Sequence, residues 1–116
     1  MMVMLLRTAF VVAIVAVTFL ALVPGPLGKI IESGEQRHLL AFAMLPALSS
    51  LAWPAIGVRA QWVGYAIFGG LIEIAQGWMA VGRNADFGDW VLDMAAAAAS
   101  LGFAVLIRRQ MSAASA

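Results

Sequence analysis

Glu73 and Gln76 are the residues whose type and placement first suggest chemistry, because they interrupt the third of four long apolar runs. They are three residues apart, so on a helix their side chains lie about 60° apart on one face. If the run crosses a bilayer, an ionisable side chain at its centre costs ~3 kcal/mol or more and requires a partner or a purpose. Gly69, Gly70 and Gly77 flank this face and would let a neighbouring helix approach closely. We therefore expect Glu73 to point into a helix bundle rather than toward lipid.

Three aspartates form a second polar stripe at the beginning of the fourth run. Asp86, Asp89 and Asp93 follow the spacing i, i+3 and i+7, which places them within about 60° on one helix face. Arg83, three residues before Asp86, is the nearest fixed positive charge. An alternative is that Asp86 and Asp89 only cap the first turn of this helix. The same face continues in small residues that would pack against a neighbour: Ala96, Ser100 and Ala104.

His38 opens the second run, at the same end of the predicted bundle as the two polar stripes. The sequence therefore predicts one polar pocket that is open at that end. In the alternative interpretation His38 is an interfacial residue, while Glu73 and Gln76 are a hydrogen-bonded pair that only holds helices together. The residues predicted to line the pocket are His38, Glu73, Gln76, Arg83, Asp86, Asp89 and Asp93, with Arg37 beside them.

The inventory of reactive side chains excludes several kinds of site. The chain has no cysteine and a single histidine, and no compact spacing of metal ligands is present, so we predict no metal and no cofactor. No Ser, Thr or Lys stands next to a plausible base, which argues against nucleophilic catalysis. A net charge of +1 without a basic block predicts no nucleic-acid partner. Acid–base chemistry by Glu73 and His38 remains open.

Composition indicates that lipid surrounds the elements that hold these residues. Of the 116 residues, 64% are hydrophobic and only 11% are charged, against roughly a quarter charged in an ordinary soluble domain. Period-two alternation is absent, and a helix is the only single segment that satisfies its own backbone in lipid. We predict an all-α fold, a single integral membrane domain over residues 1–116 in the form of a four-transmembrane-helix bundle. The spans cover about 8–23, 38–56, 61–80 and 89–107, each close to the ~20 residues required.

Proline and tryptophan mark the ends and irregularities of these spans. Two prolines and a glycine at 24–26 stop the first span. A cleaved signal peptide is an alternative for that segment, but the length of the run and the lack of an A-x-A site before Pro24 favour a retained helix. Pro46 and Pro54 are predicted kinks in the second span. Aromatic anchors at predicted span ends are Trp62, Trp78 and Trp90.

The distribution of basic residues predicts the orientation of the bundle. The side that holds both termini and the middle loop has four arginines, and the other side has Lys29, Arg37 and Arg83. Two of the four arginines directly follow the last span, where positive charge most strongly indicates the cytoplasmic side. We therefore predict a multi-pass protein of the cytoplasmic (inner) membrane with both termini in the cytoplasm and the polar pocket facing outward. The four arginines are Arg7, Arg59, Arg108 and Arg109.

The order and spacing of the polar residues resemble those of the VanZ-like membrane proteins. The family signature reads approximately E-x-x-Q followed by R-x-x-D-x-x-D-x-x-x-N-x-x-G, and the resemblance covers about residues 35–105. The aromatic Phe42, four residues after His38, is similar to a histidine and aromatic pair of the family. The residues of this chain that match the signature are Glu73 with Gln76, and then Gly82-Arg83, Asp86, Asp89 and Asp93.

The chain departs from the family pattern at three points. Asp93 stands where the family has asparagine, Ala96 replaces the glycine after it, and Gly34-Glu35 replaces an Asp-Lys pair before the histidine. An extra carboxylate and a lost lysine make the predicted pocket more acidic than the family pattern. The resemblance supports the fold more directly than it supports a shared ligand.

The resemblance implies an envelope protein linked to lipoglycopeptide resistance, because the founding member of the family is associated with teicoplanin resistance. The outward pocket would bind a lipid-linked, glycopeptide or other cell-wall-related molecule. Membrane lipid is an expected partner, and a homo-oligomer is compatible with the sequence. Two other functions stay open, an intramembrane enzyme that uses Glu73 and His38 as acid and base on a lipid head group, and a non-enzymatic assembly or scaffold protein.

Overall fold

The computed structural model describes residues 1–22, 34–79 and 87–115 of the chain. Within these ranges the side chains of residues 34–38, 79, 89 and 115 are outside the description.

Four helices and no strand make up the described residues, which confirms the predicted all-α fold. They are α1 (Met2–Leu22), α2 (Gly34–Ala52), α3 (Val58–Met79) and α4 (Phe87–Ser115). α4 continues well beyond the predicted end at 107, because its last residues include alanine, arginine, glutamine and methionine, all good helix formers.

The end of α2 corrects both the predicted span of 38–56 and the kink assigned to Pro54. The helix stops at Ala52, because Trp53 precedes Pro54 and a residue before proline is disfavoured in the α conformation. The Ile56 amide donates to the Trp53 carbonyl at 3.1 Å, so the chain turns tightly into α3. Pro46 lies inside α2.

Two helical segments are long and apolar enough to cross a membrane, α1 and the segment Trp90–Ala114 of α4. The apolar part of α2, Leu39–Ala52, is shorter; at 1.5 Å per residue it covers ~20 Å of a ~30 Å hydrocarbon core. α3 has 22 residues, which is sufficient length, but it is not one of these two segments, and its sequence includes the polar residues Arg59, Gln61, Glu73 and Gln76.

α2 occupies the centre of the bundle. It packs most extensively against α4 and also contacts α1 and α3. α1 has no fully buried residue and packs on the others through one face. The core cluster consists of Ala41, Phe42 and Leu45 from α2, Tyr65 from α3, and Met94 and Ala97 from α4, while α1 adds Phe10, Ala13, Ile14 and Val17.

Two tryptophan side chains join α3 to α4. The indole Nε1 of Trp62 donates to the Met94 carbonyl at 3.0 Å, and that of Trp90 donates to the Ala66 carbonyl at 3.0 Å. Because each helix supplies one indole, the pair of bonds holds the two antiparallel helices in register. The sequence predicted interfacial anchors at these positions and did not predict the bonds. Trp78, in contrast, is 89% exposed.

Of the glycines whose surroundings are described, Gly69 has the closest neighbouring atoms, and these come from α2 and α4. A Cβ at this position would lie 3.0 Å from Phe42 Cζ and 3.5 Å from Trp90 Cδ1. We expect Gly69→Ala to lower the free energy of unfolding by ~1–3 kcal/mol, because the Phe42 ring must shift within a packed core. Denaturation in mixed micelles measures this change.

Gly64→Ala is the matched control for Gly69→Ala, since it lies on the same helix and a Cβ there meets no atom within 4 Å. We expect Gly64→Ala to be neutral or stabilising by up to ~1 kcal/mol, because alanine restricts the unfolded chain more than glycine does. Equal effects of the two substitutions would contradict a close approach at Gly69.

Candidate functional site

Three of the predicted pocket residues have described side chains, and all three are buried. Glu73 is 7% exposed, and Gln76 and Asp93 are each 2% exposed. The two carboxylates also take part in polar contacts, as charged groups withdrawn from water require. The prediction that Glu73 points into the bundle is therefore confirmed.

The position of Glu73 along the bundle follows from the packing of α3 against α2. The Phe42 ring of α2 faces Gly69 of α3. Glu73 is four residues, about one turn, further along α3. One turn in the same direction on the antiparallel α2 leads from Phe42 to His38, so the backbone of His38 and Glu73 lie at the same end of the bundle.

The position of Asp93 follows in the same way from α4. The Ser100 hydroxyl donates to the Ala43 carbonyl of α2 at 2.6 Å, within the turn that Pro46 interrupts. Asp93 lies seven residues, about two turns, before Ser100. α2 and α4 run in the same direction, so Asp93 is level with the residues that lie two turns before Ala43. Those residues belong to the first turns of α2. Asp93 and Glu73 thus approach the same end of α2 from two different helices.

Gln76 connects this end of α3 to α1. Its Nε2 atom donates to the Ala21 carbonyl at 2.9 Å. Ala21 is in the last turn of α1, where carbonyls have no partner within the helix. Gln76 therefore has a structural role, which supports the interpretation of this residue as interhelical glue.

The other four predicted pocket residues are only partly described or not described. His38 lies in α2 near its start and Asp89 lies in the first turn of α4, but their side chains are outside the described part. Arg83 and Asp86 are also outside the described residues. Asp89 occupies the kind of position that the capping alternative requires. The assembly of all seven residues into one pocket stays a prediction.

The buried groups at this end suit recognition by hydrogen bonding. Carboxylates accept hydrogen bonds and an amide both accepts and donates them, so Glu73, Asp93 and Gln76 match hydroxyl, amide or ammonium groups. Among the residues described here, no group of three or more His, Cys, Asp or Glu side chains could hold a metal ion.

A second polar cluster lies at the opposite end of the bundle, and the sequence did not predict it. The hydroxyl of Ser49 accepts a bond from Tyr65 Oη at 2.7 Å and lies 2.7 Å from Gln61 Oε1, to which it donates. Gln61 Nε2 donates to the carbonyls of Ile56 at 3.0 Å and Trp53 at 3.4 Å. The only sequence signal for this cluster is the i, i+4 spacing of Gln61 and Tyr65 at the start of the third run.

At this opposite end of the bundle, two arginines also contact the last residue of α2 and the turn that follows it. Arg7 Nε donates to the Ala52 carbonyl at 3.1 Å, and its guanidinium lies 5.3 Å from the centre of the Trp53 ring. Arg108 donates to the Pro54 carbonyl at 3.2 Å. These contacts place one arginine from α1 and one from α4 beside the α2–α3 turn. The buried carboxylates lie toward the other end of the bundle.

The chain matches no family model, no curated protein and no solved structure. Its most distinctive features are the buried carboxylates at one end of the bundle and the arginines at the other.

Proposed function

We propose that the chain is a four-span VanZ-like protein of the cytoplasmic membrane whose outward polar site binds a lipid-linked or cell-wall-related molecule, in a role linked to lipoglycopeptide (teicoplanin) resistance. The observation that carries the proposal is the burial of Glu73 and Asp93 on two different helices at one end of the bundle. Carboxylates at such positions are costly, so they mark functional sites by default.

The surface of α3 supports its placement in lipid despite its polar residues. Ile67, Leu71 and Ile74 repeat at helical spacing, and each is more than half exposed. Glu73 and Gln76 lie on the opposite, inner side of the same helix. A helix with an apolar outer face and a polar inner face is the arrangement expected in a membrane bundle, where polar side chains face the interior.

The charge distribution supports the proposed orientation. Arg7 and Arg108 contact carbonyls beside the α2–α3 turn, and Arg59 is the second residue of α3. None of the six acidic residues lies within 36–72 or after Asp93. An arginine-rich end without acidic residues fits the cytoplasmic side, so the end with Glu73 and Asp93 would face outward, where teicoplanin and its cell-wall targets are found.

Growth in teicoplanin tests the proposal directly. A teicoplanin-sensitive host that expresses the chain should survive higher concentrations, and Glu73→Ala should abolish this protection without lowering the amount of folded protein. Glu73→Gln keeps the shape of the side chain and should lose protection as well, because the charge is removed. Ser49→Ala removes a buried polar group at the other end and is the control that should keep protection.

Two outcomes would contradict the proposal. If the Glu73 variants protect as well as wild type at equal folded abundance, the polar site has no part in resistance. If abundance and protection fall together in both Glu73 variants and in Ser49→Ala, only a packing role remains. Mass spectrometry of copurified molecules adds an independent readout, since a species present with wild type should be lost from both Glu73→Ala and Asp89→Ala.

A further inference from the structure

An apolar groove runs between α3 and α4 at the arginine-rich end, away from the buried carboxylates. It has a volume of ≈ 820 Å³ and an arginine from each helix among its lining residues, Arg59 and Arg109. Leu101 and Val105 contribute apolar surface, and Ala98 and Gly102 are small residues that leave the groove open. A volume of this size lies within the range of small-molecule sites in proteins, ~300–1,000 Å³.

The wall of the groove is held in place by a hydrogen bond. Trp62 lines the groove, and its Nε1 donates to the Met94 carbonyl at 3.0 Å. The indole ring thus presents a fixed apolar face while its polar atom is satisfied. A Cβ added at Gly102 would meet no atom within 4 Å, so nothing in the described residues fills the space above this residue.

The two arginines of the groove differ from the other two at this end. Arg7 and Arg108 donate to backbone carbonyls at the end of α2. Within the described residues, the exposed side chains of Arg59 and Arg109 make no hydrogen bond or ion pair. No acidic residue stands between 36 and 72 or after Asp93, so no carboxylate nearby in either helix competes for these guanidinium groups.

We propose that this groove binds an anionic phospholipid of the cytoplasmic leaflet, with its phosphate between Arg59 and Arg109 and an acyl chain along Trp62 and Val105. The argument is charge complementarity at the mouth of an apolar groove, since guanidinium groups pair with phosphate in a geometry of two parallel bonds. A second copy of the chain fits less well, because a symmetric dimer through this face would bring four unpaired arginines together. The inference rests on the proposed membrane embedding and not on the outward site.

Native mass spectrometry of the full chain in detergent, titrated with phosphatidylglycerol or phosphatidylcholine, tests the groove. We expect wild type to retain one phosphatidylglycerol in preference to phosphatidylcholine, and inorganic phosphate not to displace it. Arg59→Gln and Arg109→Gln should each weaken phosphatidylglycerol binding about fivefold. Lys29→Gln removes a charge elsewhere in the chain and should leave binding unchanged.

Two phenylalanine substitutions distinguish lipid binding in the groove from general association of the chain with lipid. Gly102→Phe fills the groove without changing the charge and should reduce phosphatidylglycerol retention, whereas Gly64→Phe, also at a glycine with open space around it, should not. Retention that is unchanged in the double Arg59→Gln/Arg109→Gln variant would overturn the proposal. A lipid-free dimer that Gly102→Phe disrupts would overturn it in favour of a second copy.

The outcomes also remain distinguishable from those of the proposed function. Failure of the outward site appears as loss of the Glu73 effect on teicoplanin survival, which does not involve Arg59 or Arg109. Failure of the groove appears as equal binding of the two phospholipids by wild type and by the arginine variants. Failure of membrane embedding itself would leave no phospholipid of either class on the wild-type chain.

Discussion

Gln61→Ala is expected to lower the free energy of unfolding by ~3 kcal/mol, among the largest effects of any single substitution in this chain. The side chain is 8% exposed and has three hydrogen-bonding partners. Its amide nitrogen donates to the Ile56 and Trp53 carbonyls, and its oxygen accepts from Ser49. The substitution removes all three bonds at once, and the Ser49 hydroxyl keeps only the Pro46 carbonyl, at 3.1 Å, as an acceptor. Denaturation in mixed micelles measures the loss.

Gln110→Ala is the matched control, because Gln110 is an exposed glutamine near the end of α4. We expect a change of less than ~0.5 kcal/mol there. Gln61→Glu is a sharper variant, since it preserves the shape and the acceptor but removes the two donors and introduces a buried charge. It should destabilise at least as much as alanine. A Gln61→Glu protein as stable as wild type would show that the amide nitrogen does not hold the turn.

The cluster should also behave as a unit. Tyr65 donates to Ser49, which in turn donates to Gln61, so removal of any member weakens the bonds of the others. We expect Tyr65→Phe combined with Gln61→Ala to cost less than the sum of the two single changes, with a coupling of ~0.5–3 kcal/mol. Strict additivity would contradict a connected network.

Much of the fold could be predicted because it depends on local sequence. Long apolar runs predicted helices, and Pro24 and Pro26 predicted the end of the first run. The inward direction of Glu73 was also predictable, since a carboxylate on a lipid-facing surface is costly whatever the details of packing. Pro54 showed the limit of this reasoning, because it was predicted to kink the second span and the helix instead ends at Ala52.

The second polar cluster and the arginine contacts could not be predicted, because they join residues that are distant in the chain. Arg7 and Ala52 are 45 residues apart, and their bond exists only when α1 and α2 pack in one particular register. The sequence offered Arg7 only as a topological charge. The predicted polar pocket is intermediate. Helical spacing predicted the helix faces that hold Glu73, Gln76 and Asp93, whereas the packing of α3 and α4 against α2 places Glu73 and Asp93 at the same end of the bundle.

Trp53, directly after α2, contacts two side chains of α1. Trp53 packs edge to face against Phe10 with ring centres 5.3 Å apart, and the Arg7 guanidinium lies over the same ring at 5.3 Å. Both partners belong to α1. Side-chain contacts at this point therefore bind α1 to the end of α2.

Trp53→Ala is therefore expected to destabilise the protein by ~3 kcal/mol, since it removes a large half-buried ring, an aromatic pair and a cation–π contact. Trp78→Ala is the control, because Trp78 is 89% exposed and has little packing to lose. Thermal unfolding in detergent compares the two variants directly. Similar midpoints for both would contradict a specific role of Trp53 in holding α1.

A double-mutant cycle then identifies α1 as the source of the effect. If Trp53 stabilises the protein by binding Phe10, the cost of Trp53→Ala should be smaller in a Phe10→Ala background than in wild type, by ~0.5–1.5 kcal/mol for an aromatic pair. Equal costs in the two backgrounds would mean that the pair with Phe10 contributes nothing and that the ring acts through its other contacts, which include Arg7. A reduced cost instead means that α1 is bound to the bundle through this tryptophan, at the end opposite to the bond between Gln76 and Ala21. Contacts at both ends make α1 a structural member of the bundle along its whole length.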